Sequence, residues 1–240
     1  MSEKETQLQQ CISRLRTRLL VMCATVGLAL DDACAALETG NMGQAAAVVE
    51  GDAAVDALEN ETDEAVLTLL ARHQPAAQDL RFLVAALRIV IDLERIGDES
   101  ADIAVCALKL QAPLPRQAQD HITLLADAAA ALYKKAVEAF RVGDIPSALD
   151  LCRSDAESTR LEVQALRGVM EYFSQNGSKI EKSCAEMQSI LVCRALNRIC
   201  RRAANIGEHT VFIVKGVNMK HSAHTADAPD ELRGDTRQRI

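Results

Sequence analysis

Acidic residues at helical spacing occur in two stretches of the sequence, and their chemistry is the easiest to infer. The first stretch carries four of them, in steps of four, three and four: Asp52, Asp56, Glu59 and Asp63. The second carries Glu94 and Asp98, with Asp102 one step further along, near the edge of the same helix face. Residues three and four apart share one face of a helix, so each stretch predicts an acidic stripe. If the two helices face each other antiparallel, up to six carboxylates converge.

An oxygen-rich, His-poor cluster of this kind suits hard cations such as Mg²⁺, Mn²⁺, Ca²⁺ or iron. Without a cation, mutual repulsion and burial would raise the pKa values of its members. The repulsion is relieved if the acids stay at a wet rim, pair with Arg or bind a multivalent ion. Both stripes can also be read as solvated helix faces that bind nothing, and spacing alone leaves that alternative open.

No catalytic residue is predicted from the sequence. It contains neither a nucleophile–base constellation nor a Gly-rich phosphate loop, and the Glu-x-x-His pairs of four-helix di-iron enzymes do not occur. His73 and His121 lie at predicted helix boundaries, and His209, His221 and His224 lie near the C-terminus.

The second acidic stretch belongs to a helix with two apolar rows. One row is in line with Glu94 and Asp98, which suggests that these acids adjoin the core. The opposite row consists of Ile89, Leu93, Ile96, Ile103 and Leu110. The polar remainder has ion-pair spacing and predicts a solvated face: Arg88, Asp92, Arg95 and Glu99. On the first acidic helix, Val48, Val55 and Val66 flank the stripe.

Composition narrows the classes of protein and the compartment. Hydrophobic residues make up 49% of the 240 residues but aromatic residues only 2%, which favours helices packed on helices. The net charge of −7 argues against a nucleic-acid surface. We expect no membrane span, because no apolar run is long enough, and the N-terminal residues lack the layout of a signal peptide. The eight cysteines are scattered and predict buried thiols in a reducing, cytoplasmic setting.

The sequence contains an internal duplication. Adding 103 to a residue number in the first half gives its partner in the second, without a gap, over about ninety residues. Gly40 thus matches Gly143, and Asp52 matches Asp155. Turn signals divide each half into three long helices, at 39–41, 73–75, 142–144 and 175–178.

These signals predict an all-α fold of two tandem antiparallel three-helix bundles with six long helices. The first bundle spans residues 1–112, the second 116–216, and a Pro-rich link joins them. Residues 217–240 are polar and aperiodic, and they predict a disordered tail.

The duplication preserves packing residues but not the acids. The stretch DLERIGD corresponds to ALNRICR, so Glu94 is replaced by Asn197, Gly97 by Cys200 and Asp98 by Arg201. On the other helix Asp155 and Glu162 persist, while Asp56 and Asp63 are replaced by Thr159 and Leu166. We therefore expect Arg201 to pair with Glu162 or Asp155, in the space a metal would occupy. An anionic partner for Arg201 and Arg202 is the less favoured alternative.

The sequence resembles the PhoU family of phosphate uptake regulators over residues from about 10 to 220. The residues that carry the resemblance are Gln74, Pro75, Ala77, Asp79, Leu80 and Arg81, followed by the Leu-Glu-Arg-Ile-Gly-Asp run from Leu93 to Asp98. The segments VVEGDAAVDALENETDEAV and NIGEHTVFIVKG are also similar to the family.

The resemblance implies a cytoplasmic all-helical protein, often a homodimer. Its expected partners are the ATPase subunit of a phosphate ABC transporter and a phosphate-sensing histidine kinase. Through them it would restrain phosphate uptake and phosphate-starvation genes. Family members bind metal ions through Glu/Asp-x-x-x-Asp motifs, which match Glu94 and Asp98 directly. Asp52, Asp56, Glu59 and Asp63 match the other acidic pattern, and Asp102 is a weaker match.

The sequence thus predicts a regulator with one metal site, in the first bundle, and a degenerate second site at Asp155, Glu162, Asn197 and Arg201. The ion would be iron, manganese, magnesium or zinc. The protein would act by binding rather than by turnover, without nucleic acid. Two alternatives stay open: a metal-dependent hydrolase or oxidoreductase that uses the same carboxylates, and a metal-free helical adaptor.

Overall fold

The computed structural model describes residues 3–175 and 180–219, with side chains for 5–175 and 183–219. Those residues form seven α-helices and no strand, which confirms the predicted all-α fold. The helices are α1 (Glu3–Thr39), α2 (Met42–Arg72), α3 (Ala77–Leu110), α4 (Arg116–Val142), α5 (Ile145–Cys152), α6 (Asp155–Gln175) and α7 (Ile180–Lys215). The predicted turn at 175–178 and the predicted tail fall largely outside the described residues, from 176 to 179 and from 220 onward.

Local sequence signals set the ends of the helices. Gly40 and Gly143 adopt φ values of 71° and 72°, a left-handed conformation that ends α1 and α4. Asn41 then caps α2 by accepting a hydrogen bond from the backbone N–H of Gln44, and Asp144 caps α5 in the same way. These turns lie where the sequence predicts them.

The helices form an inner group of four, α1, α3, α4 and α7, with the remaining three outside it. Helix α2 packs on α1 and α3, whereas α5 and α6 pack on α4 and α7. Each outer element therefore covers one pair of inner helices and belongs to the same repeat as that pair. The two repeats share one continuous apolar core.

The second repeat departs from the prediction of three long helices, because its middle helix is broken into α5 and α6. At the break, the Ser154 hydroxyl donates a hydrogen bond to the Leu151 carbonyl, and the Arg153 amide turns back to the Asp150 carbonyl. Ser side chains compete with helical hydrogen bonding in this way. Helix α2 continues through the corresponding positions, Glu50 and Gly51.

The apolar rows of α3 differ in depth. Ile89, Leu93, Ile96 and Ile103 are fully buried, as expected of core residues. Leu87, which lies in line with the acids, is only half-buried, and Ile91 is 44% exposed. The prediction that this row belongs to the core is therefore wrong at Ile91, whereas Leu87 and Leu108 pack against the core, so the row lies at its edge.

The predicted solvated face of α3 is also wrong at Asp92 and Glu99. Asp92 is 4% exposed and accepts hydrogen bonds from Arg202 and Asn205 of α7, with His209 at 3.2 Å. Glu99 pairs with Arg198 of α7. These pairs show that α3 and α7 run antiparallel, and they form a polar contact between the repeats.

Helix α1 is long and apolar enough to cross a membrane by length and composition, although no uninterrupted apolar run of the sequence is that long. A core helix of a helical bundle passes the same test of length and composition. In the fold, 39% of the most apolar window of α1 is buried. Its side chains Leu19, Met22, Val26 and Leu30 lie in the common core.

The expected burial of most cysteines is confirmed. Cys23, Cys106, Cys152, Cys193 and Cys200 are buried and unpaired by disulfides. Desolvation raises the pKa of the Cys200 thiol to about 12, and nearby Asp155 and Glu162 act in the same direction. Thiols of this kind pack as small hydrophobic groups.

Candidate metal centre

Helices α2 and α3 bring the predicted acidic residues of the first repeat together. Carboxylate oxygens of Asp52, Asp56 and Asp98 all lie within 4.8 Å of one another. Asp52 is half-buried, whereas the other two are exposed, so the group lies at the surface of the groove between the helices. We call the seven predicted residues the acidic cluster: Asp52, Asp56, Glu59, Asp63, Glu94, Asp98 and Asp102.

Gly97 explains how the two helices approach so closely at this point. A Cβ atom on Gly97 would lie 3.1 Å from Cγ1 of Val55 and 3.6 Å from Oδ1 of Asp52. The first distance is tighter than ordinary van der Waals contact. A side chain at this position would therefore force Val55 to shift by a few tenths of an ångström and would enter the space beside the Asp52 carboxylate.

Electrostatic repulsion extends the cluster beyond its three closest members. Desolvation, together with repulsion from Asp98 and Glu59, raises the pKa of Glu94 to about 7. The pKa of Glu59 is also raised, first by desolvation and then by Asp63, Asp56 and Asp98.

Asp52 responds in the same way. Desolvation is the main cause of its raised pKa, followed by repulsion from Asp98, Asp56 and the exposed Asp102. All seven predicted residues therefore lie on one electrostatic surface, with Asp102 at its edge.

The cluster offers more acceptor atoms than it has donors. Arg95 lowers the pKa values of Glu59 and Glu94, but it forms no ion pair with either carboxylate within the described residues. Oδ1 of Asp63 is buried and has no hydrogen-bond partner in the part of the chain that the structure describes. A buried carboxylate oxygen without a donor is costly unless a cation or water satisfies it.

This arrangement fits a hard cation. Hard cations bind oxygen at about 2.0–2.6 Å, so oxygens on opposite sides of one ion lie roughly 4–5 Å apart. The oxygens of Asp52, Asp56 and Asp98 already satisfy that spacing. Glu59, Asp63 and Glu94 would serve as further ligands or as ligands of a second ion.

The corresponding position in the second repeat is organised differently. Arg201 forms an ion pair with Asp155, Nε to Oδ1, at 3.2 Å, one of the two pairings expected from the sequence. Asn197, which is 6% exposed, donates a hydrogen bond of 2.7 Å to Glu162. The guanidinium of Arg201 and the amide of Asn197 thus pair with the two acids that remain. A site with these two groups beside its carboxylates does not fit a metal ion.

A size exchange accompanies this change of charge. Val55 and Gly97 of the first repeat correspond to Ser158 and Cys200 of the second, both of which are buried. The larger residue has moved from the outer helix to the inner one. The Cys200 side chain thus stands at the position where Gly97 leaves room beside Asp52 in the first repeat.

Sequence reasoning found the acids but missed two other features. The spacing role of Gly97 against Val55 depends on a contact between residues 42 positions apart, for which the sequence has no local signal. Asp92 has no acidic counterpart in the duplication, because the equivalent residue is Ala195. Its partners on α7 become evident only when the repeats are packed together.

Comparison with known proteins agrees with the duplication. The family model for the PhoU domain matches the chain twice, at residues 19–107 and 122–210. A phosphate-specific transport system accessory protein PhoU homolog of Pseudomonas putida is 32% identical over 212 residues, covering 88% of this chain and 81% of its own length. The accessory protein PhoU of Escherichia coli K12 is 28% identical over 216 residues, covering 88% and 86%.

Solved structures show the same fold. The crystal structure of PhoU from Pseudomonas aeruginosa matches with a TM-score of 0.81 at 31% identity, over 87% of this chain and 99% of that one. The PhoU structure from Streptococcus pneumoniae matches with a TM-score of 0.79 at 20% identity, covering 88% and 98%, and it supports the fold alone.

Proposed function

Because the chain belongs to the PhoU domain family, we propose that it is an accessory protein of a phosphate-specific transport system. The observation that carries the proposal is the match of the family model to both repeats. The relatives that bear this name cover more than four fifths of the chain.

The finer proposal is that it restrains phosphate uptake and phosphate-starvation signalling from the cytoplasm. Its partners would be the ATPase subunit of the transporter and a phosphate-sensing histidine kinase, and it would act as a homodimer. Long helical faces provide the surface for such contacts, and accessory status in the relatives supports binding rather than turnover.

We further propose that the acidic cluster holds a metal ion, or more than one. Three carboxylates within 4.8 Å and an unpartnered buried oxygen on Asp63 support this assignment. Iron, manganese, magnesium and zinc are the candidates, and the all-carboxylate donor set favours the harder ions. The ion would hold α2 against α3 and neutralise the cluster; the second repeat would need none.

A genetic experiment tests the accessory function. The gene is deleted in its own host, and a phosphate-starvation promoter fused to a reporter is measured in phosphate-rich medium. We expect deletion to raise reporter output at least tenfold and the wild-type gene to restore repression. Unchanged output in the deletion strain would contradict the proposal.

Turnover is tested separately on purified protein loaded with iron or manganese. Phosphatase or redox activity that disappears in Glu94→Ala and persists in the exposed control Glu64→Ala would support the enzyme alternative. We expect no such activity.

A further inference from the structure

An apolar surface adjoins the acidic cluster on the same two helices. Leu67 of α2 is 61% exposed, and Leu80 and Ile91 of α3 are 42% and 44% exposed. Leu70 and Leu87 are half-buried between them and the core. We call these five residues the apolar strip.

Helical geometry aligns the apolar strip with the acidic cluster. Leu80 precedes Asp98 by 18 residues, which is five full turns, so the two share one direction on α3. Leu67 follows Asp56 by eleven residues, or about three turns, and shares its direction on α2. Since α2 and α3 run antiparallel, both apolar segments lie at the same end of one groove. From Leu80 to Asp102 this groove is about 33 Å long.

The groove has a strong charge asymmetry along its length. The acidic half contains seven carboxylates; among the described residues, Arg95 of α3 interacts electrostatically with Glu59 and Glu94, and Arg198 of α7 interacts with Asp102. On the α7 side, Arg88 lies over the Phe212 ring at 5.6 Å. Arg198 is engaged by Glu99. The surface therefore changes from apolar to strongly negative along a single direction.

This arrangement is not a general property of the fold. In the second repeat Leu80 and Ile91 are replaced by Ser183 and Arg194, and the acids are paired with Arg201 and Asn197. Within the described residues, the first repeat alone combines exposed apolar residues at one end of the groove with carboxylates that have no ion-pair partner at the other end.

We propose that the groove binds one amphipathic helix of a partner protein, with an apolar row at one end and Lys or Arg at the other. A groove between two antiparallel helices accepts a third helix, whose apolar side chains would cover the apolar strip. Its basic end would meet the acidic cluster, and this charge complementarity distinguishes it from a second copy of this acidic chain. The existence of a partner rests on the proposed accessory function.

Metal ions and the basic end of the helix compete for the same carboxylates. A loaded cluster attracts Lys and Arg less strongly, since each bound ion cancels at least two negative charges. Metal loading therefore weakens docking, and this gating rests on the proposed metal site.

A synthetic peptide provides the test. The probe is a fluorescent 22-residue helix former with Leu at core positions of its first two heptads and Lys at those positions of its last heptad. Anisotropy is measured with full-length protein in EDTA and then in Mn²⁺. The control peptide carries Glu in place of Lys. The test variant is Leu67→Asp/Ile91→Asp, and the control variant is Met170→Asp, the counterpart of Leu67 in the second repeat, which is 53% exposed.

We expect the Lys peptide to bind the wild-type protein and Met170→Asp equally, and the double variant at least tenfold more weakly. The Glu peptide should not bind. Equal binding of the Lys peptide to all three proteins would overturn the proposal. Sedimentation gives a second check: if the wild type is a homodimer and the double variant is not, the apolar strip belongs to a contact with a second copy, and the proposal is also overturned. Leu80→Asp repeats the test if the double variant fails to fold. Binding that is insensitive to Mn²⁺ would remove the gating while leaving the docking surface intact.

Discussion

At the scale of single residues, Glu94 shows most clearly that the acidic cluster is costly without a cation. Desolvation and the charges of Asp98 and Glu59 raise its pKa to about 7. The carboxyl group therefore holds a proton in the folded protein at pH values where an unfolded chain would release it. A bound ion would reverse this balance by favouring the ionised form.

This predicts that the metal-free protein loses stability as pH rises. The folded pKa of Glu94 lies above the ordinary Glu value of 4.5, so the folded state binds more protons between pH 4.5 and 7. The free energy of unfolding should fall across that window and level off above it. Urea denaturation in EDTA at pH 5, 6, 7 and 8 measures it.

Glu94→Gln should flatten this pH dependence, whereas Glu64→Gln, on the exposed side of α2, should leave it unchanged. Adding Mn²⁺ at pH 8 should restore the lost stability. A metal-free protein that becomes more stable from pH 5 to pH 7 would contradict this account of Glu94.

At the scale of helices, the distance between α2 and α3 decides whether a cation site can exist. Gly97 allows Val55 to approach, and the carboxylates of Asp52 and Asp98 meet across the contact. In the second repeat Ser158 and Cys200 stand at these positions, so the larger residue lies on the inner helix. Packing in a core responds to changes as small as one methylene group.

The size exchange predicts a compensating pair of substitutions. Gly97→Cys should destabilise the protein by about 1–3 kcal/mol through overpacking against Val55. In Val55→Ser/Gly97→Cys the loss should be smaller than the sum of the two single losses, by about 1 kcal/mol. Thermal or urea unfolding of the three variants measures the coupling. Additive losses would show that the two positions do not compensate.

The contact between α3 and α7 carries a prediction of its own. Asp92→Ala removes the acceptor for Arg202, Asn205 and His209, and leaves charge unpaired in a buried interface. We expect a loss of about 3 kcal/mol in the free energy of unfolding. The control is Asp120→Ala, at an exposed position of α4, which should change it by less than about 0.5 kcal/mol. A similar small change in Asp92→Ala would refute a structural role for this contact.

At the scale of the whole molecule, the duplication gives one fold with two different charge patterns. Each repeat contributes two inner helices to one continuous core, but the repeats differ where α2 packs on α3 and where α6 packs on α7. The contact between α2 and α3 brings together carboxylates with few hydrogen-bond donors, and Oδ1 of Asp63 has none among the described residues. At the contact between α6 and α7, Arg201 and Asn197 pair with the acids. Residues of the second repeat therefore serve as matched controls for the acidic residues of the first.

Much of this arrangement could be predicted from the sequence. Helix periodicity is a local pattern, and the constant offset is found by comparing the two halves of the same chain. They located the turns at Gly40 and Gly143, the core row on α3 and the acidic cluster. The failures concern contacts between helices. The burial of Asp92 and the rim position of Ile91 depend on where α7 packs, and the break at Ser154 depends on side-chain hydrogen bonds that compete with the helix.

Metal content of the purified protein tests the central claim most directly. The protein is produced in medium with iron and manganese, and metal per chain is measured by inductively coupled plasma mass spectrometry. The account predicts bound metal in the wild type, at least a fivefold loss in Asp98→Ala, and wild-type content in Asp155→Ala, the counterpart of Asp52 in the second repeat. Metal that persists in Asp98→Ala but is lost in Asp155→Ala would contradict it, as would a wild-type protein that binds none.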